Sequence, residues 1–139
     1  MDGFVLDASV AISWCFPDDP AENTPYSRAI LRHVEEADVV VPEIWAFEVA
    51  NGIFVAYSLR KRINEADIRE YVQLLESLPI RVVSAEWLRN IALESLARKH
   101  SLAAYDAAYL DLAPREELPL ATTDQALKKA ALAEGVVLL

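Results

Sequence analysis

Short runs of apolar residues alternate along this chain with longer stretches in which apolar positions recur every three or four residues. The short runs are typical of buried strands, and the longer stretches are typical of amphipathic helices. The predicted strands are residues 4–6, 39–41, 80–83, 119–122 and 136–138. The predicted helices are residues 8–14, 25–37, 43–62, 65–78, 84–99, 101–113 and 124–134. This alternation predicts an α/β fold with a mainly parallel central sheet flanked by helices.

Hydroxyl side chains mark the starts of several predicted helices. Thr24 is a predicted N-cap because a proline follows it at the first helical position. Ser84 and Ser101 are predicted to cap the helices that follow them. Helices 43–62 and 65–78 have no strand between them, which predicts a helical arm beside the sheet.

Four acidic residues stand where a carboxylate is costly unless it caps or binds something. These four acids are Asp7, Glu48, Asp106 and Asp124. Asp7 and Asp124 follow the first and fourth predicted strands, and ligands of parallel sheets gather beyond such strand ends. Glu48 and Asp106 lie on the apolar faces of predicted helices, where an isolated ionised carboxylate is unfavourable. If the fold brings the four acids together, they form a site for a hard cation.

Each acid taken alone also has an ordinary structural explanation. Asp7 and Asp124 fit helix N-caps, which contribute ~1 kcal/mol each. Asp106 lies near a predicted helix start, where the helix dipole favours a negative charge. Glu48 could pair with an arginine, as buried acids commonly do. The occurrence of all four in one chain is harder to explain in this way.

Length and composition predict a single globular domain. The chain has 139 residues, of which 54% are hydrophobic and 25% charged, so we expect one domain over residues 1–139. The lone Cys15 cannot form an internal disulfide and is expected to be buried. No apolar run approaches the ~20 residues that span a bilayer, and the N-terminus carries an acid where a secretory signal is basic. We therefore expect a cytoplasmic protein that makes no membrane contact.

The net charge of −9 bears on the partners of the protein. With 22 acids against 13 bases, a broad basic surface for nonspecific nucleic-acid binding is not expected. The charge is nevertheless compatible with a nuclease. Carboxylates gathered in one cleft repel phosphate until bound divalent cations reverse the local sign.

Four segments, in their order and spacing, resemble one known family. They are VLDAS from Val5, PE from Pro42 with EVAN from Glu48, LAAYDAAYL from Leu102, and LATTDQAL from Leu120. Together they span nearly the whole chain and resemble the PIN-domain ribonucleases of the VapC toxin type.

This resemblance implies a metal-dependent endoribonuclease that serves as the toxin of a type II toxin–antitoxin system. It implies Mg²⁺ or Mn²⁺ as cofactor, RNA as substrate, a cognate antitoxin protein as inhibitor, and a homodimer. The four acids would be both the catalytic residues and the metal ligands, since hard divalent ions prefer carboxylate oxygens. Trp45, Phe54 and Tyr57, on the predicted arm, could form the groove for the dimer partner or the antitoxin.

Three further residues are candidates for supporting the four acids. Ser9 and Thr122 resemble the family's small hydroxyl residues, two positions from the first and last acids, and could orient a ligand or a water. Asn51 could hydrogen-bond Glu48. Capping or turn-forming roles explain these three residues equally well.

Two other functional classes remain open. One is another phosphate-handling metalloenzyme, such as an aspartyl phosphatase. It is weakened because Ser9 stands where a second aspartate would follow Asp7, and because only three glycines leave no Gly-rich phosphate loop. The other is a noncatalytic protein-interaction module in which the acids are caps. That module would tolerate Glu48→Gln fully and would show no effect of divalent ions on its melting temperature.

Overall fold

A parallel sheet forms the centre of the protein. The computed structural model describes residues 2–139 and contains four strands within them. They are β1 (Gly3–Leu6), β2 (Asp38–Pro42), β3 (Ile80–Val83) and β4 (Leu120–Ala121). All pair in parallel in the order β3-β2-β1-β4, which confirms the predicted α/β class. The fifth predicted strand is reduced to a single bridge between Leu120 and Leu138.

Seven α-helices of the described chain flank this sheet. They are α1 (Ala8–Ser13), α2 (Pro25–Val34), α3 (Ile44–Phe54), α4 (Glu65–Ser77), α5 (Trp87–His100), α6 (Ala104–Glu116) and α7 (Gln125–Ala133). A π-helix, Val55–Leu59, continues α3, so the predicted helix 43–62 changes its hydrogen-bonding pattern halfway. Within the part of the chain that is described, every helix is too short or too polar to cross a bilayer.

Of the three predicted helix N-caps, one is confirmed and two are wrong. Thr24 accepts a hydrogen bond from the backbone N–H of Ser27 at 3.1 Å, as expected of an N-cap. Ser84 is not a cap, because the backbone stays extended through Glu86 and α5 begins only after it. Ser101 has a φ of 55°, and this left-handed residue ends α5 instead of starting α6.

The strand register decides which residues meet at the carboxyl edge of the sheet. β1 is buried along its whole length and pairs with β4 through Val5–Leu120 and Leu6–Ala121. The residues that follow these strands, Asp7 and Thr122, therefore emerge side by side.

A close approach between α1 and α3 fixes the position of Glu48. A Cβ at Gly52 would lie 2.9 Å from Ile12 Cδ1, so only glycine allows this spacing without a shift of Ile12. Trp45 and Val49, on the same side of α3, are buried. Trp45 is therefore a core residue and cannot line a groove for a partner. With this face of α3 packed inward, Glu48 lies at its margin, on the side toward α6.

Candidate active site

Asp7 lies at the junction of β1 and α1 and is held by two hydroxyls. Asp7 is buried and only 3% exposed to solvent. Oδ2 accepts hydrogen bonds from Ser9 Oγ at 2.5 Å and from Thr122 Oγ1 at 2.7 Å. Ser9 and Thr122 therefore both contact Asp7. Through the Thr122 bond, the residue that follows β1 is joined to the residue that follows β4. The backbone N–H of Ser9 also acts on the carboxylate and helps to lower its pKa.

The burial of Asp7 is not offset by a positive charge. Burial raises the pKa of the carboxyl above its ordinary value, whereas the Ser9 and Thr122 hydroxyls act to lower it. The negative charge of Asp124 raises it further. Although Asp7 is the residue before α1, its side chain makes no capping bond there, so the cap explanation does not account for it.

Glu48 is partly buried and bonds to a tyrosine. Tyr109 Oη donates a hydrogen bond to Glu48 Oε1 at 2.6 Å. Burial raises the pKa of Glu48 to about 7, and the charges of Asp7 and Asp106 add to the rise while the tyrosine bond opposes it. The ion pairs of the described chain include no arginine or lysine partner for Glu48.

Asp106 lies in the first turn of α6 and faces the other acids. Burial raises its pKa to about 6, and the charges of Asp7 and Asp124 contribute to this rise. A carboxylate in the first helical turn is favoured by the dipole. Here burial and like charges outweigh that benefit, so the dipole alone does not explain the residue.

Asp124 does cap a helix, and it also belongs to the cluster. Its Oδ1 accepts a hydrogen bond from the backbone N–H of Leu127 at 3.0 Å, at the start of α7. Its own N–H donates to Thr122 Oγ1 at 3.0 Å. The charge of Asp124 is felt by both Asp7 and Asp106. The capping bond therefore fixes the carboxylate and leaves Oδ2 for another contact.

Tyr109 is the site residue that the sequence reasoning missed. It is fully buried, and burial together with the charge of Glu48 raises the pKa of its phenol, so that it remains a hydrogen-bond donor. Its position three residues after Asp106 places it on the same face of the helix as that acid, which is the feature of the sequence that indicates a role in the site. Asn51 was expected to hold Glu48 and does not. It is exposed, and the hydrogen bonds found for residues 2–139 include none between Asn51 and Glu48.

The four acids therefore share one edge of the sheet and act on one another electrostatically. No group of three or more His, Cys, Asp or Glu side chains in the described residues is already arranged as a metal site. The chemistry of the donors nevertheless fits a hard divalent ion, because the acids lack a balancing cation and offer oxygen ligands. Asp111, by contrast, faces away on α6 and pairs with Arg89 and Arg115.

Clustered carboxylates beyond the ends of a parallel sheet are typical of enzymes that handle phosphate groups with divalent ions. A family model described as PIN domain matches residues 4–132, and the chain belongs to this family. PIN domains are generally nucleases, and PIN nucleases generally use divalent metal ions.

A solved structure shares this fold. The crystal structure of PAE2754 from Pyrobaculum aerophilum resembles this chain with a TM-score of 0.65 and 19% sequence identity. The match covers 93% of this chain and 86% of that one. At this identity the likeness concerns the fold. No curated protein matches the sequence.

Proposed function

We propose that this protein is a metal-dependent endoribonuclease and the toxin of a type II toxin–antitoxin pair of the VapC kind. The proposal is carried by the mutual charge repulsion of the four acids, which the described residues leave without a balancing cation. Proteins do not gather partly buried carboxylates without a compensating partner. A divalent ion, Mg²⁺ or Mn²⁺, is the partner that this oxygen-rich cluster suits.

Each of the four acids has a role that follows from its contacts. Asp7, Glu48, Asp106 and Asp124 would hold the ion. Glu48 and Asp124 are each oriented through one oxygen by a protein hydrogen bond, which leaves the second oxygen for coordination. Asp7 is held through Oδ2 by two hydroxyls. When bound, the ion would polarise a phosphodiester and provide a hydrolytic nucleophile.

Residues outside the acids hold this arrangement in place. Ser9 and Thr122 keep Asp7 from rotating, and Tyr109 does the same for Glu48. Support of this kind from surrounding hydrogen bonds is what precise ion binding requires. The RNA phosphate would approach only with the ion present, because the acids alone repel it.

The direct test is cleavage of a mixed structured RNA pool by the purified protein in Mg²⁺, Mn²⁺ or EDTA. We expect cutting in either metal, none in EDTA, and a loss of at least about a hundredfold in Asp7→Asn. Asp38→Asn is the matched control, since Asp38 is an acid at the start of β2, away from the carboxyl edge of the sheet, and pairs with Arg81. Equal cutting by wild type and Asp7→Asn would overturn the proposal.

The proposal includes a homodimer. Its support is an exposed apolar face on the first turns of α5, where Trp87, Leu88 and Ile91 are 69%, 61% and 63% exposed. Contiguous apolar side chains of this kind mark protein interfaces. Light scattering should give twice the chain mass for wild type and a monomer mass for Leu88→Glu. A monomer in both would remove the dimer from the proposal.

An antitoxin would bind the helical arm formed by α3, the π-helix and α4. Phe54 and Tyr57 are 51% and 39% exposed there, and Leu59 is 64% exposed. An amphipathic helix of a small partner is the ligand such a surface suits. Co-expression of an adjacent small open reading frame should yield a complex that Phe54→Asp weakens. Capture that Phe54→Asp leaves unchanged would place the antitoxin elsewhere.

A further inference from the structure

Two exposed aromatic side chains directly precede two of the four acids. Phe47 precedes Glu48 on α3, and Tyr105 precedes Asp106 on α6; their exposures are 73% and 52%. Successive residues of a helix point about 100° apart. Each helix therefore presents a carboxylate to the site and an aromatic ring to the space next to it.

Both rings line one cavity. Its volume is about 430 Å³, and it lies between the start of α3, the first half of α5 and the outer side of α6. Leu93 and Ala108 also line it, and they belong to a small apolar cluster beneath. A volume of this size is within the range of pockets that bind small planar ligands.

The wall of the cavity carries a polar pair that can read a hydrogen-bonding edge. Asn90 Nδ2 donates to Glu43 Oε1 at 2.7 Å, and both residues line the cavity. This bond uses one amide hydrogen and leaves Asn90 with a carbonyl acceptor and a second N–H donor. A donor and an acceptor side by side complement the edge of a nucleobase.

We propose that this cavity binds an unpaired nucleobase of the RNA, stacked against Phe47 or Tyr105 while a neighbouring phosphate lies at the four acids. The inference rests on the proposed function and adds to it a base-binding cavity beside the four acids. Bases of a duplex are stacked and paired, so they cannot enter a side cavity without being flipped out. Stacking on protein aromatics is the usual means by which single strands are held.

The test is an affinity cycle with short fluorescent RNA in the Asp7→Asn background, in which cleavage is suppressed. One set of oligonucleotides is intact, and in a second set an abasic residue replaces each position in turn. We expect the double variant Phe47→Leu Tyr105→Leu to bind intact RNA about 5- to 150-fold more weakly. One abasic position should weaken binding to the parent similarly and leave the double variant unaffected.

Phe54→Leu is the control, because it removes a ring of α3 that is 51% exposed, close to the exposure of Tyr105, and that lies outside the cavity lining. Its affinity for both RNA sets should match the parent. All three positions are exposed, and unchanged melting temperatures would verify folding. Losses of equal size for intact and abasic RNA, or no loss, would overturn the base-binding cavity. A change from dimer to monomer without a base-dependent loss would overturn it in favour of a protein interface.

This design separates the two proposals. If wild type cleaves RNA but the loss of affinity does not depend on the presence of the base, the cavity proposal fails and the proposed function stands. If wild type cleaves no RNA in any metal, the proposed function fails, and the cycle still reports whether the cavity binds a base.

Discussion

Tyr109 on α6 donates a 2.6 Å hydrogen bond to Glu48 on α3, joining the two helices that carry the inner acids. The phenol is fully buried and its pKa is raised, so it remains a donor wherever the protein is folded. The bond takes one oxygen of Glu48 and acts to lower the pKa of that carboxyl. Tyr109 thus controls both the orientation and the charge of a residue that we propose binds metal.

Tyr109→Phe should raise the pKa of Glu48 above its value of about 7, because the variant keeps the ring and removes the donor. We expect cleavage at pH 7 to fall about tenfold, since a hydrogen bond to a charged group contributes about 1.5–3 kcal/mol. The loss should shrink toward pH 9. The check is the pH dependence of the cleavage rate, with the exposed Tyr57→Phe as the control tyrosine. Coincident profiles for Tyr109→Phe and wild type would count against this role.

The metal-free protein should lose stability as the pH rises through the neutral range. Burial raises the pKa of Glu48 to about 7 and of Asp106 to about 6, so the folded state binds more protons than the unfolded state above pH 4. Stability from these groups is fully present below their unfolded pKa and is lost as the pH rises through 6–7. The exposed carboxyls with lowered pKa values, Asp38, Glu94 and Glu134, titrate below this window.

Melting curves in EDTA at pH 5, 6, 7 and 8 measure this effect. We expect the melting temperature to fall across the series by about 4 °C for each kcal/mol lost. Glu48→Gln, which cannot ionise, should flatten the decline. A melting temperature that rises from pH 5 to pH 8 would show that ionisation of these acids does not destabilise the folded protein.

Removing the two hydroxyls that hold Asp7 should destabilise the protein. Ser9→Ala with Thr122→Val leaves a buried carboxylate without its donors, at a cost of about 2 kcal/mol or more at pH 7. Urea unfolding provides the free energy of unfolding, with the exposed Ser95→Ala as control. Equal midpoints for the double variant and wild type would mean that these bonds do not stabilise the fold.

Much of the fold was predictable because it depends on local patterns. Short apolar runs identified the four strands, and Asp7 and Asp124 follow two of them in adjacent positions of the sheet. The resemblance predicts that Ser9 and Thr122 orient a ligand or a water, and that role stays a prediction; in the structure both hydroxyls donate hydrogen bonds to Asp7.

The remaining features depend on tertiary geometry that a single sequence does not encode locally. Glu48 and Tyr109 are separated by 61 positions, and their contact requires the observed packing of α3 against α6. Helical spacing alone predicts a contact between Asn51 and Glu48, but spacing does not show that the side chain of Asn51 is exposed to solvent. The left-handed φ of Ser101 similarly follows from how the chain turns between α5 and α6.

The most direct test of the central claim is Mn²⁺ binding to the metal-free protein, measured by calorimetry at pH 7.5. If the four acids form a metal site, wild type and Asp111→Asn should bind with the same affinity, whereas Asp7→Asn and Glu48→Gln should bind at least about tenfold more weakly. Absent binding, or equal affinities in all four proteins, would contradict the claim. That result would instead favour a noncatalytic module in which the acids are structural.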